Sequence, residues 1–248
     1  MSRPMVTAIT VSYNSAKTIR DTIESVLNQT YDKMEYIIVD GLSKDDTVKI
    51  AEEYKEKFAA KGYLYKIISE KDNGIYDAMN KGIKNATGDL IGIINSDDWY
   101  EKEAAETAAA EYEKKPYVMF YADINIVRAD GSVIVKHSKN MKGLQTSLHW
   151  NHPTTFIPKK VYDKVGLYAC DNINDDWDMY LRIKKTGKRF VVVNKVLANF
   201  RFGGVSNDHG FKKWKQRIDN CYVCYRKNGY SRLYWFIVAA KETAKILV

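Results

Sequence analysis

The sequence predicts an α/β protein built on a mostly parallel central sheet flanked by helices. Three observations carry that expectation. β-Branched apolar runs at residues 6–11, 36–39, 63–69 and 90–94 alternate with helical-period stretches at 17–28, 47–60 and 76–85. That alternation is the mark of repeated βαβ units. The runs are also continuous rather than alternating, as strands covered on both faces read. Finally, three of them end in polar clusters: Ser12-Tyr13, Asp40-Gly41 and Asn95-Ser96-Asp97-Asp98. In a parallel sheet such ends share one edge, and ligands bind there.

Taken in order, the first strand turns through Ser12-Tyr13-Asn14-Ser15 into a helix with Ile19, Ile23, Val26 and Leu27 on one face. The second ends in Asp40 and passes through a polar loop to a helix over 47–60. The third is followed by Glu70-Lys71-Asp72-Asn73-Gly74, a helix over 76–85 and the central run Leu90-Ile91-Gly92-Ile93-Ile94. A helical stretch covers 101–114. Asp130-Gly131 then joins apolar runs at 117–127 and 132–137, which reads as a hairpin. Residues 141–150 carry no clear period. The two prolines at 153 and 158 favour extended chain over 152–158. A helix spans about 175–186, with Trp177, Leu181 and Ile183 facing inward; a short strand covers 190–193, and 202–206 forms a loop. From Phe211 the spacing of Trp214, Ile218, Cys221, Tyr222 and Tyr225 is helical, with Lys212, Lys213, Lys215, Arg217, Arg226 and Lys227 on the other face.

At 248 residues the chain is long enough for one domain with a full core, and its 45% hydrophobic and 28% charged residues are ordinary for a globular protein. Its net charge of +8 favours anionic partners. Three cysteines (Cys170, Cys221, Cys224) point to a reducing compartment. Cys221-x-x-Cys224 has no second ligand pair, so two half-buried helix thiols are expected rather than zinc. Met1-Ser2-Arg3-Pro4 leads straight into a strand, so no secretory leader is expected. No apolar run reaches membrane-spanning length.

Neither G-x-G-x-x-G nor G-x-x-x-x-G-K-[ST] occurs, which argues against a dinucleotide dehydrogenase and a P-loop NTPase. The sheet edge instead offers an aromatic (Tyr13), an acceptor (Asp40) and an adjacent carboxylate pair, Asp97 and Asp98. The ring and acceptor suit a nucleobase. Two neighbouring carboxylates repel unless a cation lies near, and a hard divalent ion bridged by a diphosphate suits them. A solvated turn capping the next helix is the alternative for that pair.

Several motifs, in order over about residues 5–206, resemble the family 2 glycosyltransferases. They are Val11-Ser12-Tyr13-Asn14, Val39-Asp40-Gly41-Leu42-Ser43-Lys44-Asp45-Asp46-Thr47 and Asn95-Ser96-Asp97-Asp98. The segment Glu70-Lys71-Asp72-Asn73-Gly74-Ile75-Tyr76-Asp77-Ala78-Met79-Asn80-Lys81-Gly82 resembles a bacterial polysaccharide and O-antigen branch, and Asp175-Asp176-Trp177-Asp178 with Leu181-Arg182 resembles the family's acidic helix start. The resemblance implies the Rossmann-like A-type nucleotide-diphospho-sugar transferase fold. It implies a catalytic domain over 1–206, with a nucleotide-binding half (1–100) and an acceptor-side half (101–206), and leaves 207–248 as an amphipathic helical extension.

By position, the resemblance implies a UDP-sugar site of Val11, Tyr13, Asp40, Lys71, Asp72 and Asp97. It implies Mn²⁺ or Mg²⁺ at Asp97 and Asp98, and Asp176 as the base in an inverting transfer of a hexose-type sugar. A helix cap is the other role open to Asp176. His152 and Trp177 are expected near the acceptor, a glycan or lipid-linked hydroxyl. Two positions depart from the family pattern. Asn95 stands where an Asp is common and Met79 where an Arg is common, so Lys71, Arg201 or a residue of the late loop must help hold the diphosphate.

The basic and aromatic C-terminal stretch suits an anionic membrane better than nucleic acid, because the sheet edge is acidic. A cytoplasmic protein, peripheral on the inner face of the cell membrane, is the expected setting. The rival reading is a nucleic-acid- or membrane-binding module that has kept the fold without transfer activity.

Overall fold

The computed structural model describes residues 3–203 and 211–244. Four parallel strands form its first half: β1 (Val6–Ser12), β2 (Met34–Asp40), β3 (Leu64–Ser69) and β4 (Leu90–Asn95), in the spatial order β3-β2-β1-β4. β1 and β2 are buried along their whole length, as their unbroken apolar runs require. Alternate residues point to opposite faces. Ile9, Val11, Ile37 and Val39 meet Ala78, Met79 and Ile83 of α4 (Ile75–Asn85) on one side. Val6, Ala8, Tyr36 and Ile38 meet α1 (Ile19–Leu27), α2 (Thr47–Glu52) and α3 (Lys55–Ala60) on the other. Each such buried aliphatic contributes about 1.5–3 kcal/mol relative to exposure. Gly82 lets α4 approach closely: a Cβ there would lie 2.5 Å from Ile9 Cγ2.

The expected helix over 47–60 is two, broken at Glu53-Tyr54, which lets both Tyr54 and Phe58 enter the core. The second half of the sheet is mixed rather than parallel. β8 (Phe156–Pro158) runs antiparallel to both β4 and β6 (Met119–Val127), and β9 (Phe190–Arg201) runs parallel to β6. β5 (Trp99–Tyr100) closes the edge against β9, and β7 (Val133–Lys136) forms the expected hairpin with β6. α5 (Ala104–Lys114) follows β5, and α6 (Lys159–Val165) follows β8. Residues 152–154 make a 3-10 turn, so only the end of the expected extended stretch is strand.

α7 (Asp175–Lys184), α8 (Phe211–Lys227) and α9 (Tyr234–Ala244) complete the fold. Ile218, Cys221, Cys224, Tyr225 and Val238 share one core with Trp177, Tyr180 and Leu181. Tyr225 stacks on Tyr234 at 4.5 Å and sets its ring edge-on to Trp177 at 5.9 Å. The described part of 207–248 is therefore an integral layer, not an appendage. The α8 face expected on a membrane is turned to the protein, since its Ile218 and Cys221 are buried. Cys221 and Cys224 are fully rather than half buried, and the three cysteines form no disulfide. Residues 204–206 of the expected late loop and the side chain of Phe211 lie outside the described residues. Among those described, no helix is long and apolar enough to cross a membrane.

Candidate active site

The ends of β1, β2 and β4 converge and are tied together by side chains. Ser15 Oγ and Ser96 Oγ lie 2.7 Å apart, linking the loops after β1 and β4. Asn14 N–H donates to Ser43 Oγ (2.8 Å) and Lys44 N–H to Asn14 Oδ1 (2.8 Å), linking β1 to β2. Asn14 and Leu42 both hold left-handed backbone, at φ 51° and 61°. For leucine that conformation is costly, and such residues persist where surrounding contacts over-determine the chain.

Asp40 sits beneath this edge, fully buried. Its carboxylate accepts from Ser12 Oγ (3.1 Å), Ser43 N–H (2.9 Å), Ser69 Oγ (2.9 Å) and Ser43 Oγ. It binds three strand ends together and faces protein donors rather than the cleft. Val11 also turns inward, into the core with α4. Two expected donor residues do face the cleft. The Tyr13 ring is 60% exposed, and Asp72 is half-buried. Between them lies Gly41: a Cβ there would stand 2.4 Å from Asp72 Oδ2 and 3.5 Å from Tyr13 Cδ2. Asp72 Oδ1 accepts from Gly74 N–H at 3.0 Å, which fixes the carboxylate in that position. This is a flat slot with an aromatic wall and a carboxylate end. Gly41 reads in sequence as a turn residue only. Lys71 is exposed beside the slot, with its carbonyl held by Lys81 Nζ (2.5 Å).

The carboxylate pair is split. Asp97 is half-exposed at the rim, whereas Asp98 is fully buried, with Oδ1 accepting from Arg201 N–H at 3.0 Å. Burial, then the adjacent Asp97 charge, pushes the Asp98 carboxyl up to about 8. The two carboxylates expected to share a metal are thus divided, because β9 captures Asp98. Asp98 Oδ2 and Asn95 Oδ1 are buried without hydrogen-bond partners. Arg201 wraps this turn, donating from Nε to the Asp97 carbonyl (3.1 Å) and from Nη2 to Asp21 (2.8 Å). Among the described residues no cluster of three or more His, Cys, Asp or Glu could hold a metal by itself. A rim carboxylate above unpartnered oxygens fits instead an ion that takes one or two protein oxygens and completes its shell with phosphates. Met79 is a core residue of α4 and offers the phosphates nothing.

Asp176 lies in the first turn of α7, half-buried, and its charge reaches both Tyr76 and His152. Burial, then that charge, raises the Tyr76 phenol well above its ordinary value. Tyr76 O–H donates to the Ile173 carbonyl (2.8 Å), tying the Asp72 loop and α4 to the start of α7. The start of α4 and the segment just before α7 line a cleft with Gly74, Tyr76, Asp77, Cys170 and Asn172. Asp175 takes the structural role: it is fully buried, with Oδ2 accepting from Asp171 N–H (3.0 Å) and Asn172 N–H (3.2 Å). His152 is half-buried with its ring edge-on to Trp150, and burial lowers its pKa against the opposing pull of Asp176. Trp177, expected at the acceptor, is instead core: it is stacked on Tyr180 at 4.6 Å, because 177, 180 and 181 share the inward face of α7.

A glycine flanked by an aromatic ring and a carboxylate, a rim carboxylate and a second carboxylate on a neighbouring helix, all on an α/β sheet, are parts that a nucleotide-sugar transferase site would use. The sequence profile of Glycosyl transferase family 2 matches residues 7–173, and the chain belongs to that family. It is 27% identical over 229 residues to Bacillus subtilis (strain 168) TuaG, whose name assigns it to teichuronic acid biosynthesis; the match covers 91% of this chain and 88% of TuaG. A PGL/p-HBAD biosynthesis glycosyltransferase of Mycobacterium tuberculosis (strain ATCC 25177 / H37Ra) is 27% identical over 223 residues, covering 88% and 85%. Among solved structures, S. aureus TarS 1-349 in complex with UDP-GlcNAc superposes with a TM-score of 0.71 at 18% identity, covering 96% of this chain and 71% of that one. The Pyrobaculum calidifontis mannosyltransferase PcManGT, with GDP-Man and Mn2+, gives 0.67 at 15% identity, covering 99% and 75%. These structures share the A-type fold expected from the motifs.

Proposed function

We propose that this family 2 glycosyltransferase moves a hexose-type sugar from a UDP-sugar to an acceptor hydroxyl, with inversion, in bacterial surface polysaccharide synthesis. The observation that carries the donor reading is the slot at Gly41, where Tyr13 and Asp72 face one another across a missing side chain. The base stacks on Tyr13 and gives its ring N–H to Asp72 Oδ2, while Asp40 holds the three strand ends that frame it. The TarS complex with UDP-GlcNAc supports a uridine donor by likeness of fold.

Asp97 would hold Mn²⁺ or Mg²⁺ together with the diphosphate. When bound, the ion offsets the negative charge of the leaving group. Asp176 accepts the proton of the acceptor hydroxyl as its oxygen attacks the anomeric carbon. The bond from that carbon to the diphosphate oxygen breaks, and UDP leaves with the electron pair. Tyr76 and His152 flank Asp176 and orient the acceptor, a glycan hydroxyl carried on a lipid.

Calorimetry of UDP and GDP binding, with and without Mn²⁺, followed by a UDP-sugar hydrolysis screen, tests the reading. UDP should bind, its affinity should rise with Mn²⁺, and Asp97→Asn should abolish the rise. Binding of GDP in preference to UDP would overturn the uridine assignment. An unchanged metal response in Asp97→Asn would overturn the metal site.

A further inference from the structure

Nearly all of the protein's net charge lies in its last 38 residues. Residues 211–248 hold nine Lys and Arg against two Asp and Glu, a net of +7 out of the chain's +8. The same region leaves an apolar face bare. α9 is apolar around almost its whole circumference, a composition that belongs in a fully covered helix. Its inner face is covered: Tyr234 stacks on Tyr225, Val238 is buried, and Lys241 Nζ donates to Ser147 Oγ at 2.9 Å. Its outer face carries Leu233, Phe236, Ile237 and Ala240 at helical spacing. Leu233 is 67% and Phe236 65% exposed. Exposed Arg232 adjoins Leu233, and Lys215 and Arg226 are exposed on α8. The loop beneath α9 exposes Leu144 and Leu148 as well.

We infer that the outer face of α9 docks on an anionic lipid bilayer, with Leu233 and Phe236 entering the headgroup boundary and the surrounding cations facing lipid phosphates. A second copy of the chain is a poor cover. A two-fold contact brings the same surface of both copies together, and here that would appose two surfaces that each expose Lys215, Arg226 and Arg232. An anionic surface meets apolar face and charge at once. The contact also bears on the acceptor, because α9 rests on residues 145–147, just before Trp150 and His152.

The test is co-sedimentation of the full chain with vesicles of about 30% phosphatidylglycerol in phosphatidylcholine, against phosphatidylcholine alone, at low salt and at about 0.5 M NaCl, where charge is screened within a few ångströms. Binding should be confined to anionic vesicles and fall roughly tenfold or more in high salt. Leu233→Glu/Phe236→Glu and Lys215→Glu/Arg232→Glu should each lower it by a similar factor of about ten, with UDP affinity unchanged as the control for folding. Three results would overturn the inference: no binding to anionic vesicles, wild-type binding by the Leu233/Phe236 variant, or a lipid-free dimer that this variant dissolves. Vesicle binding is read without any acceptor, so its failure is distinct from failure of the proposed transfer.

Discussion

Gly41→Ala tests the donor slot with the smallest perturbation available. The backbone at Gly41 is outside the left-handed region, so alanine adds no conformational strain and the effect is purely spatial. Its methyl would stand 2.4 Å from Asp72 Oδ2 and 3.2 Å from Asp72 Cγ, well inside contact distance. The other Asp72 oxygen is anchored on Gly74 N–H at 3.0 Å, so the carboxylate must swing out of the slot or give up that bond. Either movement removes the acceptor from the base. A hydrogen bond to a charged group contributes about 1.5–3 kcal/mol, so UDP should bind roughly 10- to 150-fold more weakly. The site is at a rim rather than in the core, so the unfolding midpoint should barely move. Asp72→Ala should cost a similar factor. Adding Gly41→Ala to Asp72→Ala should cost little more, because the clashing group is already gone. Calorimetric titration with UDP measures all three variants. Affinity within twofold of wild type in Gly41→Ala, or strictly additive losses in the double variant, would refute the slot.

Three further outcomes follow from the same geometry. Asp40→Ala removes the acceptor shared by four donors, of which Ser12 Oγ is buried, and should lower stability by about 1–2 kcal/mol in urea; unchanged stability would show that Asp40 does not hold the strand ends. Asp176→Asn should keep UDP affinity and lose roughly 10²–10⁴-fold in transfer, since the amide cannot take the proton; wild-type turnover would return Asp176 to a helix cap. His152 has its pKa lowered from 6.5 chiefly by burial, so below pH 6.5 the unfolded chain binds more protons than the native state. Its stabilising contribution is present above pH 6.5 and is lost as pH falls through the folded value, with a slope of up to about 1.4 kcal/mol per pH unit. His152→Gln should flatten that part of the pH–stability curve, and an unaltered curve would exclude His152 as its source.

What the sequence disclosed and what it hid divide along physical lines. β1, β2 and β4 were legible because burial on both faces demands an unbroken apolar run, and the polar residue ending each run marks the sheet edge. β9 is legible as far as residue 193, where Asn194 and Lys195 interrupt the pattern; the strand continues because β6 pairs with it across a bulge at Asp123. Side-chain direction at the rim was not legible. Asp97 and Asp98 are identical neighbours, and which one turns inward depends on the Arg201 N–H, 103 positions away in sequence. Asp40 is a similar case, for its three hydroxyl partners lie on three separate chain segments. For Trp177 the helical period placed the ring inward and the family resemblance placed it near the acceptor. The period was the better guide, since packing of α7 on α8 leaves that ring no outlet.

Gln145 joins the C-terminal layer to the proposed catalytic helix. Its backbone N–H donates to Tyr234 Oη of α9 (3.2 Å), and its carbonyl accepts from Tyr225 Oη of α8 (2.9 Å). Its side-chain Oε1 accepts from Tyr180 Oη of α7 at 3.4 Å, one helical turn beyond Asp176. The segment that carries it, over 141–150, has no period of its own, and three tyrosines from three helices fix Gln145 within it. Gln145 thus adds a hydrogen-bonded link between α9 and α7 to the ring contacts that Tyr234, Tyr225 and Trp177 already make. The face proposed to meet lipid and the helix that carries Asp176 therefore belong to one packed unit.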